Sequence, residues 1–296
     1  MTIAPSTSLF YDRASSTMRS LSAQADRLNQ QITAQSNILA PSDDSVAWQR
    51  LQGLSQADAN GAAYAANVTV AKTVLQQADG ALGTIGDQLQ QVKTLVVQAR
   101  NGTLPASGKV AIANQLGDIL SQIVSTANVA DTRGGPLFGG NSGGQAVTQN
   151  ADGSLSFTTG EGASIPIGDG QSVQPSSNAA GFLKTGTSDL GSAITAIMAA
   201  LNAGTDIPAA AADTVQQVSD QVATAQASIG ARAARVDIVS SQLTDAKADR
   251  SATRDQVDGF DYATAITRLQ KTMTSLQATQ ASFSKLSSLS LFDYLR

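Results

Sequence analysis

The chain has 296 residues and a formal charge of −4, with only 14% charged and 4% aromatic side chains. An acidic balance argues against nucleic-acid binding, which needs cations to displace the counterions of the phosphate backbone. Cysteine and histidine are both absent, which removes disulfides, thiolate and imidazole metal sites, and the commonest general base.

Alanine, glutamine, serine and threonine dominate, and Glu161 is the only glutamate. Small and amide side chains suit helices packed on one another better than a thick globular core. No apolar run approaches the ~20 residues of a membrane-spanning helix. The first twenty residues lack a basic region followed by an apolar one, so no cleavable secretory signal is predicted, and the standard secretion route would leave the chain cytoplasmic.

In chain order, Met1 to Ser8 is polar and Pro-containing, and is predicted to be extended or disordered in isolation. Met18, Leu21, Ala25, Leu28, Ile32, Gln35 and Leu39 then alternate spacings of three and four, the period of a coiled-coil helix. Ala40-Pro41 ends that helix, because the residue before proline is pushed out of the α region. Ser42-Asp43-Asp44 offers an N-cap and first-turn negative charge to the next helix. Capping explains this acidic pair better than metal binding, which needs more ligands.

The clearest seam runs from Tyr64 through Val68, Leu75, Leu82, Leu89 and Val96 to Ala99. Gly80, Gly83 and Gly86 lie off it, each costing ~1 kcal/mol of helix propensity against alanine. They mark either a soft point or a close approach of another chain. Asn101-Gly102 stops this helix. Ile112, Leu116, Ile119, Leu120, Ile123 and Val124 predict a shorter helix ending before Asp131.

Composition then changes, with more than half of all glycines falling between Gly134 and Gly191. Alternating pieces around Ser154 to Thr158 and Ser164 to Ile167, with Asp152-Gly153 and Asp169-Gly170 as turn signals, predict a hairpin-rich β insert. Gly139 to Gly144 lacks the following Lys-Ser/Thr of a phosphate-binding loop and is read as a flexible link. Helical pattern returns from Asp189 to Ala203. After Gly204 to Pro208, a long seam runs from Val215 to Ala246, with Arg232 at one seam position, its stem along the seam and its head expected to snorkel to water or an aspartate.

The last seam is Tyr262, Ile266, Leu269, Met273, Leu276, Gln280 and Phe283, closing on the apolar Leu289, Phe292 and Tyr294. A seam this long needs a partner helix. The predicted fold class is mainly α with a small β insert. Its architecture is a long antiparallel helical rod, coiled-coil-like, with the Gly-rich β domain inserted between the long helices as a knob at its far end. The predicted parts are an N-terminal helical arm over 1–133, the insert over 134–188 and a C-terminal helical arm over 189–296.

Three stretches carry a family resemblance. Leu28 to Val46, above all Ile38-Leu-Ala-Pro-Ser-Asp-Asp-Ser-Val, is similar to the turn near the start of flagellins and flagellar hook-associated proteins. Leu89 to Thr103 resembles the end of their long N-terminal helix, and Asp258 to Leu269 the start of their C-terminal helix. The ending Leu289-Ser-Leu-Phe-Asp-Tyr-Leu resembles the hook–filament junction members more than flagellin.

The resemblance implies a structural protein of the bacterial flagellum and not an enzyme. It implies export through the flagellar type III apparatus to the cell exterior, and no cofactor or metal. Implied partners are further copies of the chain in a ring, the hook-side junction protein, flagellin and an export chaperone, without nucleic acid or membrane insertion. The candidate assembly seam is Met18, Leu21, Leu28, Ile32 and Leu39 with Ile266, Leu269, Met273, Leu276, Phe283, Leu289, Phe292 and Tyr294. A minor flagellin and a secreted coiled-coil binding module stay open as alternatives. A hydrolase would have to rest on aspartates and serines, and no helix register brings a convincing set together.

Overall fold

Helix α1 (Ala4–Ala34) begins well before Met18 and ends well before Pro41. The computed structural model describes residues 4–101, 104–132, 134–140 and 143–294, with side chains described from residue 9 to residue 285. Its early start reflects a tertiary partner: the Tyr11 ring meets Phe283 edge-on at 5.3 Å between centroids. Its early stop reflects Gln35, which adopts a left-handed φ of 51°. The Ser36 N–H then bonds the Gln31 carbonyl and the Gln35 N–H bonds that of Ile32, a Schellman ending without its usual glycine. Leu39, placed on the α1 seam by periodicity, therefore lies in the turn after the helix.

Asp44 caps α2 (Ser45–Ala99), its Oδ1 accepting the Val46 and Ala47 N–H groups at 2.9 Å. α3 (Ala106–Ala127) follows, and the insert then forms three two-stranded antiparallel hairpins. They are β1 (Val147–Gln149) with β2 (Leu155–Phe157), β3 (Ile165–Gly168) with β4 (Gln171–Val173), and β5 (Lys184–Thr185) with β6 (Ser188–Asp189). Gly153 (φ 83°) and Gly170 (φ 66°) occupy the first two turns, as the Asp-Gly pairs predicted. A short α4 (Ala180–Leu183) precedes the third hairpin.

Asp189 caps α5 (Leu190–Ala203) by accepting the Ser192 N–H at 3.0 Å, and Gly204 ends it in the left-handed region. α6 (Ala209–Asp258) and α7 (Tyr262–Tyr294) complete the order, separated by Gly259 at φ 56°.

Contacts group the chain into two compact units, one formed by Met1–Ala59 with Lys247–Arg296 and the other by Asn60–Ala246. In the central unit, Lys72 pairs with Asp237 (2.8 Å) and Lys93 with the Ser219 hydroxyl (3.2 Å). The partner number falls as the α2 number rises, so α2 and α6 run antiparallel. The α2 seam from Val68 to Ala99 is buried, with Val215, Val218, Val222, Ile229, Val236 and Val239 facing it from α6.

The same core continues into the insert through Phe138, Val147, Ile167, Phe182 and Leu183. The insert lies on the flank of the α2–α6 pair. Tyr64 donates to Asp169 (2.7 Å) and Asn67 to the Pro166 carbonyl (2.8 Å), while Arg232 donates to the Gln174 and Ser176 carbonyls at 2.9 and 3.3 Å. Arg232 thus carries its head to two insert carbonyls instead of to open water. Lys109, in the first turn of α3, donates to the carbonyl of Gly204 at the end of α5 (3.5 Å).

A candidate assembly face on the terminal helices

The unit holding both terminal segments is built on α1 and α7. Tyr11 near the start of α1 meets Phe283 near the end of α7, and Asn37 after α1 meets Asp258 before α7, so the two helices run antiparallel. The covered face of α1 is Tyr11, Ala14, Met18, Leu21, Ala25, Leu28 and Ile32, in strict alternation of three and four. Extending the predicted seam backwards from Met18 by four and three would have found Ala14 and Tyr11.

On α7 the covered side chains are Ala265, Leu269, Thr272, Leu276, Thr279 and Phe283, with Ile266 half-buried beside them. That face is offset from the apolar stripe read along the helix. Thr272 faces inward where Met273 was expected, and Thr279 where Gln280 was. Met273 is left 44% exposed and Tyr262 53% exposed. Leu9 and Phe10 of α1 are exposed too.

Among the described residues of this helix pair only Ala25 and Ala265 are buried, each 7% exposed, and the larger apolar groups are half-covered or exposed. Two helices alone cannot enclose a stripe of this width. Of the remaining seam residues, Met18, Leu21, Leu28 and Ile32 lie on the covered face of α1, and Leu39 is half-buried in the turn. The side chains of Leu289, Phe292 and Tyr294 lie outside the described residues.

The two turns of this unit are joined by polar contacts that periodicity does not signal. The Asn37 N–H donates to Asp258 Oδ1 (2.7 Å) and its side-chain amide to the Asp258 carbonyl (2.8 Å). Asp43 accepts the Leu39 and Ala40 N–H groups at 2.9 and 3.1 Å and is ion-paired with Arg27. Between α2 and α6, Asp58 holds Arg250 (2.6 Å) and Arg254 (2.9 Å). Asp261 caps α7, accepting the Ala263 N–H (3.0 Å) and the Thr264 hydroxyl (2.6 Å).

These contacts stabilise the ionised carboxylates. The Leu39 N–H, then the Ala40 N–H and the Arg27 charge, hold Asp43 below the usual aspartate range. The Arg250 hydrogen bond does so for Asp58, and the Thr264 hydroxyl for Asp261. A carboxyl lowered by folding binds fewer protons folded than unfolded. Its stabilisation is therefore present above the ordinary aspartate value of about 3.9 and lost as pH falls below it. Hydrogen exchange at pH 3 against pH 7, corrected for intrinsic rates, is expected to show protection lost first around residues 35–44 and 258–264. The Val68–Val96 amides should lose it later. Simultaneous loss in both places would contradict this assignment.

Among the described residues no group of side chains is placed to hold a metal ion, and no helix is long and apolar enough to cross a membrane. What the terminal unit offers chemically is uncovered apolar surface.

The profile of the bacterial flagellin N-terminal helical region matches residues 6–143, and that of the bacterial flagellin C-terminal helical region matches residues 212–295. Flagellar hook-associated protein 3 of Salmonella typhimurium LT2 is 24% identical, the match covering 98% of this chain and 99% of the relative. The protein of the same name from Escherichia coli K12 is 24% identical over 97% and 98%. A flagellar hook-associated protein structure from Vibrio parahaemolyticus has a similar fold, with a TM-score of 0.67 at 20% identity over 73% of this chain and all of that one. The flagellar hook associated protein-3 structure from Legionella pneumophila gives 0.63 at 12%, over 71% and 100%.

Proposed function

The chain belongs to the bacterial flagellin family, structural proteins of the flagellum, and we propose that within it this protein is the adaptor joining hook to filament. In this reading the protein is exported to the flagellum and assembles as a ring of copies. The hook-side junction protein lies on one side and flagellin on the other, with an export chaperone shielding α7 beforehand.

The observation that carries the reading is the incompletely covered α1–α7 pair, whose apolar stripe needs further helices. Full-length likeness to proteins named flagellar hook-associated protein 3 supports the junction over the filament. Neighbouring subunits would supply the missing helices, completing coiled coils around the stripe. Ordering a residue costs ~1–2 kcal/mol, so an under-buried pair favours the assembled state, where contacts offset that cost.

Immunogold labelling of intact flagella tests the location. Label confined to one point beside the hook is expected, whereas label along the filament would make the protein a minor flagellin. Removing Leu289 to Arg296 is expected to leave cells with hooks but without attached filaments. Flagella of normal length on that strain would refute the part given to this end of the chain.

A further inference from the structure

Three helical glycines, Gly80, Gly83 and Gly86, lie within two turns of α2, and Gly230 of α6 lies level with Gly80 along the antiparallel pair. The register is fixed on both sides by Lys72 with Asp237 and Lys93 with Ser219. A methyl group built at Gly83 would sit 3.7 Å from Gln226 Nε2, which places Gly80 level with Gly230. Packing does not explain these residues. A methyl group at Gly80, Gly86 or Gly230 would meet nothing within 4 Å, and the one at Gly83 would make ordinary contact. Alanine would fit at all four positions and favour the helix more.

Two further features gather at the same level. The Thr84 hydroxyl donates to the Gly80 carbonyl (3.0 Å), a contact that competes with the helix ladder and bends helices. Thr69, Thr73 and Thr94 make the same contact along α2, but only Thr84 makes it to a glycine. Gln77, Gln88 and Gln221 each carry a buried side-chain oxygen without a hydrogen-bond partner among the described residues. By the same register all three flank the glycines, two on α2 and one on α6.

The support around the pair also changes here. Gln88 of α2 approaches Gln122 of α3 (3.4 Å), so α3, ending at Ala127, stops alongside Gly83. Beyond that level the insert takes over, through Arg232, Asn67 and Tyr64.

We propose that Gly80–Gly86 and Gly230 form a paired bend point, where the part of α2–α6 clasped by the insert flexes against the part packed on α3 and α5. Glycine on both helices at one level lets them bend together without shearing the seam between them. An adaptor between two unlike assemblies gains a means of adjusting its angle to each.

The chain has no cysteine, so spin labels can be placed at will. Pulsed electron-spin distances between labels at Ala66→Cys and Gln98→Cys, ~48 Å apart along α2 by the helical rise, cross the bend. A pair at Ser107→Cys and Ser125→Cys, ~27 Å apart on α3, does not. The α2 distribution is expected to be the wider of the two in the full chain. Gly80→Ala with Gly86→Ala and Gly230→Ala should narrow it by about half while leaving the α3 pair unchanged. An unaltered α2 width in the alanine variant, or an α2 distribution no wider than α3 from the start, overturns the proposal. The measurement is made on the unassembled chain, so it stands or falls separately from the junction reading.

Discussion

Met273→Asp, combined with Tyr262→Asp, is expected to leave the isolated chain folded as before and to abolish its incorporation into flagella. Both side chains stand on the uncovered side of α7, 44% and 53% exposed. Surface substitutions away from buried features usually change stability by less than about 0.5 kcal/mol. In an assembly that covers the stripe, the same aspartates become unpaired buried charges, each costing ~3–5 kcal/mol. One such charge lowers an association constant by roughly a hundredfold to several thousandfold. Leu276→Asp makes the contrast, because Leu276 faces α1, so that change should disturb the α1–α7 pair in the isolated chain. Circular dichroism of the purified variants and electron microscopy of the corresponding strains separate the two effects. Normal flagella on the double variant would mean that another face of the terminal helices meets the neighbours. Loss of helix in the isolated double variant would mean that the stripe is covered within the chain.

The contrast between Met273 and Leu276 also shows where sequence reading stops. Periods of three and four reported correctly that α2 and α6 are long helices with buried seams, because one dominant core claims each seam. They reported less about α7. A period states which side chains share a face, whereas the covered face depends on how the neighbouring helix is rotated, and α1 sits over Thr272 and Thr279. Asp152-Gly153 and Asp169-Gly170 were legible as turns because the left-handed φ they need is a local property. Gln35 was not legible, because a non-glycine residue is held in that region only by its surroundings. The Asn37–Asp258 tie spans 221 positions and leaves no periodic trace. Nor does composition say where an insert packs. A Gly-rich segment looks detachable in sequence, yet its few apolar residues are the ones that enter the core.

That last point carries a second expectation, in the other unit. Phe182→Ala is expected to destabilise the central unit by ~3–5 kcal/mol, the range for emptying a buried aromatic site. Phe182 and Phe138 are both fully buried, with ring centroids 5.1 Å apart and planes at 77°, the edge-to-face arrangement that adds to plain burial. Their neighbours in the core include Leu183 and Ile167 from the insert and Ile194 and Ile197 from α5. A spacer would tolerate the change, since nothing in the long helices would depend on it. An insert that completes the core should transmit it to α2 and α6, which lose the cover supplied by Phe138, Ile167 and Phe182 together. Urea unfolding followed by helical circular dichroism gives the measurement. A single transition moved to lower urea is expected, because one continuous core should unfold as one. A small separate transition, with the helices unfolding at their original midpoint, would show that the insert folds independently. In that case removing Gly134 to Gly191 should leave assembly intact. If the core is shared, the same deletion should expose Val68 to Leu82 of α2 and prevent assembly by unfolding the central unit.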